Sequence, residues 1–112
     1  MSRKRYPVLL TEGAEQDLES IYDYIIANSS TRASADYVLD QVLKAAARLA
    51  RHPQRGSYPS ELLSLGIREY RQVMFKPYRI IYRVVSDTVH IVLIADGRRD
   101  MQSLLARRLL GA

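Results

Sequence analysis

Apolar residues recur with two different periods along this chain, and the change of period divides it into a helical part and a strand-rich part. From Ala14 they fall at Leu18, Ile21, Tyr22, Ile25 and Ile26, the spacing that puts one stripe along a helix. Thr11 stands ahead of the stripe as an N-cap, and Glu12, Glu15 and Asp17 occupy the first turns, where the helix dipole favours anions. Asn28, Ser29 and Ser30 end this helix, and Thr31 can cap a second. That one carries Ala35, Val38, Leu39, Val42, Leu43, Ala46, Leu49 and Ala50 on one face; Arg48, Arg51 and His52 complement its C-terminus, and Pro53 stops it. Two amphipathic helices joined by so short a link predict an antiparallel hairpin. Before them, residues 6–10 are apolar and β-prone, and Pro7 suits an edge strand.

After the hairpin, Pro53, Gly56, Pro59 and Gly66 predict a loop over residues 53–66. A run of β signals follows: a strand at 67–75, a turn at Lys76-Pro77, a strand at 78–85, a three-residue turn Ser86-Asp87-Thr88, and a strand at 89–95. In the middle strand Tyr78, Ile80, Tyr82 and Val84 share one face, and Arg79, Ile81, Arg83 and Val85 the other. Asp96-Gly97 breaks the pattern, and Asp100 can cap a last helix bearing Met101, Leu104, Leu105 and Leu109. The predicted order is β-α-α-β-β-β-α. The fold class is α+β, with the helical hairpin packed on one face of a mostly antiparallel sheet and a short C-terminal helix. A length of 112 residues fits one domain spanning residues 1–112.

Charge changes the picture more than composition does. At 47% hydrophobic and 26% charged the chain has ordinary values for a globular protein. Seventeen Lys+Arg against twelve Asp+Glu leave +5, but the excess is lopsided. Residues 1–40 hold four basic and seven acidic side chains, a net of −3; residues 41–112 hold thirteen and five, a net of +8. Fourteen of the seventeen cations are arginine, which prefers planar contact with phosphate or carboxylate. Such a field favours an anionic partner, nucleic acid or an acidic protein segment; the alternative on composition alone is a solvated charged face.

The absence of cysteine excludes disulfides and thiolate metal sites, and His52 and His90 are far apart in sequence. No metal and no cofactor is implied. Apolar runs are too short for a membrane span, no secretory h-region follows Arg3, Lys4 and Arg5, and a reducing cytoplasm is the expected compartment. Phosphate loops, HExxH and GxSxG are missing, and serine, histidine and aspartate form no recognisable triad. What remains is a display of arginine and tyrosine on the sheet. Arg68, Tyr70 and Gln72 alternate on one strand, Arg79 and Arg83 on the next, and Arg98 and Arg99 follow the last. With the helices on the Tyr78/Tyr82 face, Arg79, Arg83 and the Arg98-Arg99 pair line an open face. The bland alternatives are cross-strand pairing of Arg79 or Arg83 with Glu69 and neutralisation of Arg98-Arg99 by Asp96 and Asp100.

Four pieces of the chain resemble the RelE/ParE superfamily of toxins from type II toxin–antitoxin modules. They are the opening strand with "TEGAEQDLESIYDYI", the second helix ending "AARLARHPQRG", the double strand "REYRQVMFKPYRIIYRVV", and "HIVLIADGRRD" before the C-terminal helix. The resemblance covers about residues 6–110 and implies a bacterial toxin, of the plasmid-stabilising kind, neutralised by a partner encoded beside it. That partner would be a ParD-like antitoxin with a flexible acidic tail, for which Leu104 and Leu109 are docking candidates and Leu105 reads as core. The superfamily implies two activities. RelE-like members cut mRNA in the ribosomal A site, and ParE-like members inhibit DNA gyrase. Against the nuclease pattern, Arg79 in "PYRIIY" matches the sheet arginine and Arg99 in "GRRD" the arginine after the last strand. The preceding strand's lysine pair falls on Tyr70 and Gln72, and the C-terminal tyrosine falls near Leu105.

The difference has a chemical meaning. Attack by a 2′-hydroxyl needs a proton acceptor, charge stabilisation and a proton donor. Arg79 and Arg99 can supply only charge, because guanidinium stays protonated. Leu105 supplies nothing; Tyr70 carries an exchangeable proton but stands where the pattern has a lysine, and His90 matches no position of the pattern. The resemblance therefore favours a ParE-like binding inhibitor of gyrase over a ribosome-dependent endoribonuclease. Arg79, Arg83, Arg98, Arg99 and Tyr70 are the candidates for target contact; an inactive relative that only binds its antitoxin is the third alternative.

Overall fold

The computed structural model describes residues 4–29 and 31–111. Its elements are β1 (Val8–Leu10), α1 (Glu12–Ser29), α2 (Arg32–Ala47) with a 3-10 turn at Arg48–Ala50, α3 (Ser60–Leu63), β2 (Arg71–Phe75), β3 (Tyr78–Val85), β4 (Thr88–Asp96) and α4 (Met101–Leu110). The expected caps are in place. Thr11 Oγ1 accepts from Ala14 N–H at 3.2 Å, Thr31 from Ser34 N–H, and Asp100 from Ser103 N–H. Ser30, expected to end the first helix, lies outside the described residues.

The strands form one sheet in the order β1-β4-β3-β2. β1 runs parallel to β4 at one edge, and the other pairs are antiparallel. The position of Pro7 just before this edge strand agrees with its missing N–H. The helical hairpin covers one face. Ala14 and Leu18 from α1, Val42, Ala45 and Ala46 from α2, and Leu49 meet Ile80, Tyr82, Val89, Ile91 and Ile94.

Several boundaries differ from the sequence reading, each for a local reason. The predicted strand at 67–75 is extended only from Arg71, because residues 67–70 carry the chain up from α3 and bury Tyr70. The turn after β3 has two residues, since Val85 pairs with Thr88; Ser86 and Asp87 both take positive φ, 50° and 61°, the conformation that matches the twist of a tight hairpin. In β4, Ile81 pairs with Leu93 and Tyr82 with Ile91, leaving Val92 as an extra residue in a bulge. Val92 and Leu93 consequently both pack on the face away from the hairpin.

That face is the main correction. It was expected to be open, but α3 and α4 cover it. Leu62 from α3 and Met101, Leu104 and Leu105 from α4 pack with Tyr70, Ile81, Leu93 and Ala95. The loop predicted over 53–66 contains α3, four residues whose Leu62 is 1% exposed. No helix among the described residues is long and apolar enough to cross a membrane.

Candidate functional site

The sequence candidates separate into three places. Arg79 sits under α3. Its side chain is enclosed, with the residue 8% exposed, and its guanidinium grips Glu61 with Nη1 and Nη2 at 2.8 Å each, while Nε donates to Gln72 Oε1 at 2.7 Å. The hydrogen bonds from Arg79 hold the Glu61 carboxyl below its usual range, against a smaller opposing effect of burial. Gly97 lies against the arginine stem, where a Cβ would meet Arg79 Cδ at 2.9 Å. Arg79 is thus a buried clamp between sheet and α3, not an exposed contact. Glu61 went unnoticed in the sequence, although it is one of only two acids between residues 41 and 86.

The second place is the corner where β4 gives way to α4. Arg98 folds back on Asp96, with Nε at 3.0 Å and Nη2 at 2.6 Å from its oxygens, and the Asp96 carboxyl is lowered chiefly by these bonds. Asp100 serves Ser103 in the helix cap. Arg99 is exposed and has no ion pair among the described residues. Beside the pair runs a groove of about 640 Å³ between α1 and α4, lined by Ile21, Tyr24, Tyr78, Arg98, Arg99 and Leu104. Tyr24 is 67% exposed, and burial raises the Tyr78 phenol, with Asp96 adding to it. Tyr24 went unnoticed in the sequence, because it falls outside the apolar stripe of α1, and Tyr78 was assigned to the face packed against the helices rather than to a site.

The third place is the start of β2. Arg83 is half-buried over the Tyr70 ring at 5.4 Å and reaches Glu69 only at 4.0 Å, so the expected cross-strand pair is loose. Tyr70 itself is buried. Arg71 stacks on Tyr58 at 4.5 Å and donates to the Gly56 carbonyl and the Tyr58 hydroxyl; Arg68 lies over the same ring at 5.9 Å. Of the docking candidates on α4, Leu104 is core, Leu109 is half-buried beside it, and Leu105 is core as expected. A larger, mainly apolar groove lies elsewhere: about 880 Å³ along the free side of β1, lined by Leu9, Leu10, Leu18, Tyr22, Leu39 and Leu43 and rimmed by Glu15, Glu19 and Asp36.

This architecture of a helical hairpin on a mostly antiparallel sheet, with an arginine pair at the exit of the last strand, is that of the RelE/ParE toxins. Residues 8–101 match the family model described as the ParE toxin of a type II toxin–antitoxin system, parDE, and the chain belongs to that family. Among solved structures, the chromosomal ParDE system from P. aeruginosa matches with a TM-score of 0.69 and 20% identity, over 82% of this chain and 96% of that one. The RelBE2 toxin–antitoxin complex from Mycobacterium tuberculosis matches with a TM-score of 0.59 and 22% identity, over 85% and 94%. No curated protein matches the chain at a significant level.

Proposed function

We propose that this ParE-type toxin acts by binding DNA gyrase rather than by cleaving RNA, and that a ParD-like antitoxin with a flexible tail neutralises it. The state of Arg79 carries the choice of mechanism. The nuclease pattern needs a sheet arginine facing substrate, and here that guanidinium is engaged on Glu61 and Gln72. Tyr70 is buried and Leu105 is core, so neither of these two positions of the nuclease pattern offers substrate a side chain that moves protons. What the corner at Arg98 and Arg99 offers instead is a contact surface, two cations beside two tyrosines and a groove, a composition suited to binding.

The test is supercoiling of relaxed plasmid by purified gyrase with increasing toxin. Inhibition, relieved by antitoxin, is expected. Unchanged supercoiling at large molar excess, with growth arrest intact in cells, removes the reading. Exposed Arg99 favours a second one: codon-positioned cuts in translated mRNA, weakened by Arg99→Ala, would establish a ribosome-dependent endoribonuclease in its place.

For the antitoxin, the groove along β1 supports docking better than α4, whose apolar residues largely serve the core. Its acidic rim suits basic side chains at that point of the tail.

A further inference from the structure

The end of the sheet where β2 begins concentrates cations with few acids beside them. Of the two acids in residues 41–86, Glu61 is engaged by Arg79, and Glu69 stays 4.0 Å from Arg83. Arg68, Arg71 and Arg83 line a cleft of about 260 Å³ together with Gln54 and Glu69. Arg83 Nε is buried within it and has no hydrogen-bond partner, a donor that an entering oxygen would satisfy. Arg71 is held in advance: two of its nitrogens are fixed on Gly56 and Tyr58, and its plane lies against the Tyr58 ring. Gly56 itself lines a second cleft of about 300 Å³, together with Arg48 and Arg55.

We infer that these two arginine-lined clefts form a binding surface for the phosphodiester backbone of a nucleic acid. The donors of the first cleft are charged, and those of Arg71 are pre-positioned, the arrangement that suits phosphate oxygens. A second arginine-lined cleft at Gly56, whose carbonyl Arg71 of the first cleft holds, suits a polymer of phosphates. An acidic peptide is the weaker match, because peptide docking uses apolar pockets between its polar contacts. The large apolar groove is along β1, lined by different residues. Contacts of this kind position a nucleic acid without reading its sequence. The inference does not depend on gyrase, and its test contains none.

Fluorescence anisotropy of the full-length protein with labelled duplex DNA and with labelled single-stranded RNA, over a salt series, decides it. Arg68→Ala with Arg83→Ala is expected to weaken binding by ~10-fold or more and to lower the salt slope by about two. The control pair Arg32→Ala with Arg107→Ala removes the same net charge from exposed positions elsewhere and is expected to change binding by less than ~3-fold. Tighter binding of the duplex or of the RNA identifies the source, and either supports the surface. No binding, equal losses in both variant pairs, or displacement by poly-glutamate more readily than by unlabelled DNA or RNA overturns it. Should the double variant unfold, Arg68→Ala alone, at an exposed side chain, is expected to lower the slope by about one; no change overturns the inference.

Discussion

Burying a guanidinium is unfavourable unless its donors find acceptors, and Arg79 meets that condition through Glu61 and Gln72. Removing one partner of such a pair is worse than removing both. Glu61→Ala is expected to cost about 3 kcal/mol in urea unfolding, and Arg79→Met in the Glu61→Ala background to recover part of it. A Glu61→Ala protein as stable as wild type would show that α3 needs no clamp. The pH dependence follows from the same bonds. The folded-state pKa of Glu61 lies below its ordinary value of 4.5. Its contribution is therefore fully present above the unfolded value and is lost as pH falls through the lower, folded one. Wild-type stability should drop more steeply below pH 4.5 than that of Glu61→Gln, whose amide does not titrate. Parallel curves would contradict the assignment. A residue-by-residue reading placed Arg79 correctly on its strand face but could not tell that the face was covered. Coverage depends on α3, and "SELL" between Pro59 and Gly66 is too short for periodicity to register.

At the scale of elements, the helical hairpin was legible from the apolar stripe of each helix and the capping threonine before it, and the β-meander from β-prone runs separated by turn residues. The bulge in β4 was not. Val89 to Ala95 is apolar at nearly every position, since both sheet faces are covered, and alternation carries no signal when neither side is polar. The edge of β4 was equally hidden. β1 ends at Leu10, so β4 beyond Ile91 has no strand beside it on that side. Asp17 of α1 accepts from Ile94 N–H at 3.0 Å, and Arg108 of α4 donates to the Val92 carbonyl at 3.0 Å, while the two side chains pair at 2.9 Å. Residues 91 positions apart thus stand in for a missing strand. Arg108→Ala is expected to cost about 1 kcal/mol, and a double-mutant cycle with Asp17→Ala to show coupling of about the same size. Strict additivity would mean that the two caps act independently.

Across the whole molecule, the uneven charge of the sequence becomes a division of surfaces. The acidic first third lies in the hairpin and rims the apolar groove beside β1; the arginines gather at the start of β2 and around the exit of β4. With the antitoxin docked along β1 and the target at the β4 exit, as proposed, neutralising contacts and target contacts would be altered separately. Arg98 and Arg99 test it. Both side chains are exposed, Arg98 binds only the neighbouring Asp96, and neither crosses to another element. Their removal should leave the thermal midpoint where it is. Arg98→Ala with Arg99→Ala is expected to weaken growth arrest by ~10-fold or more, measured as the inducer level that halts growth. Antitoxin affinity, measured by calorimetry on the same protein, should shift by less than ~3-fold, because the groove along β1 is untouched. Equal losses of toxicity and antitoxin binding would place both partners on the β4 exit and remove the division on which neutralisation at β1 depends.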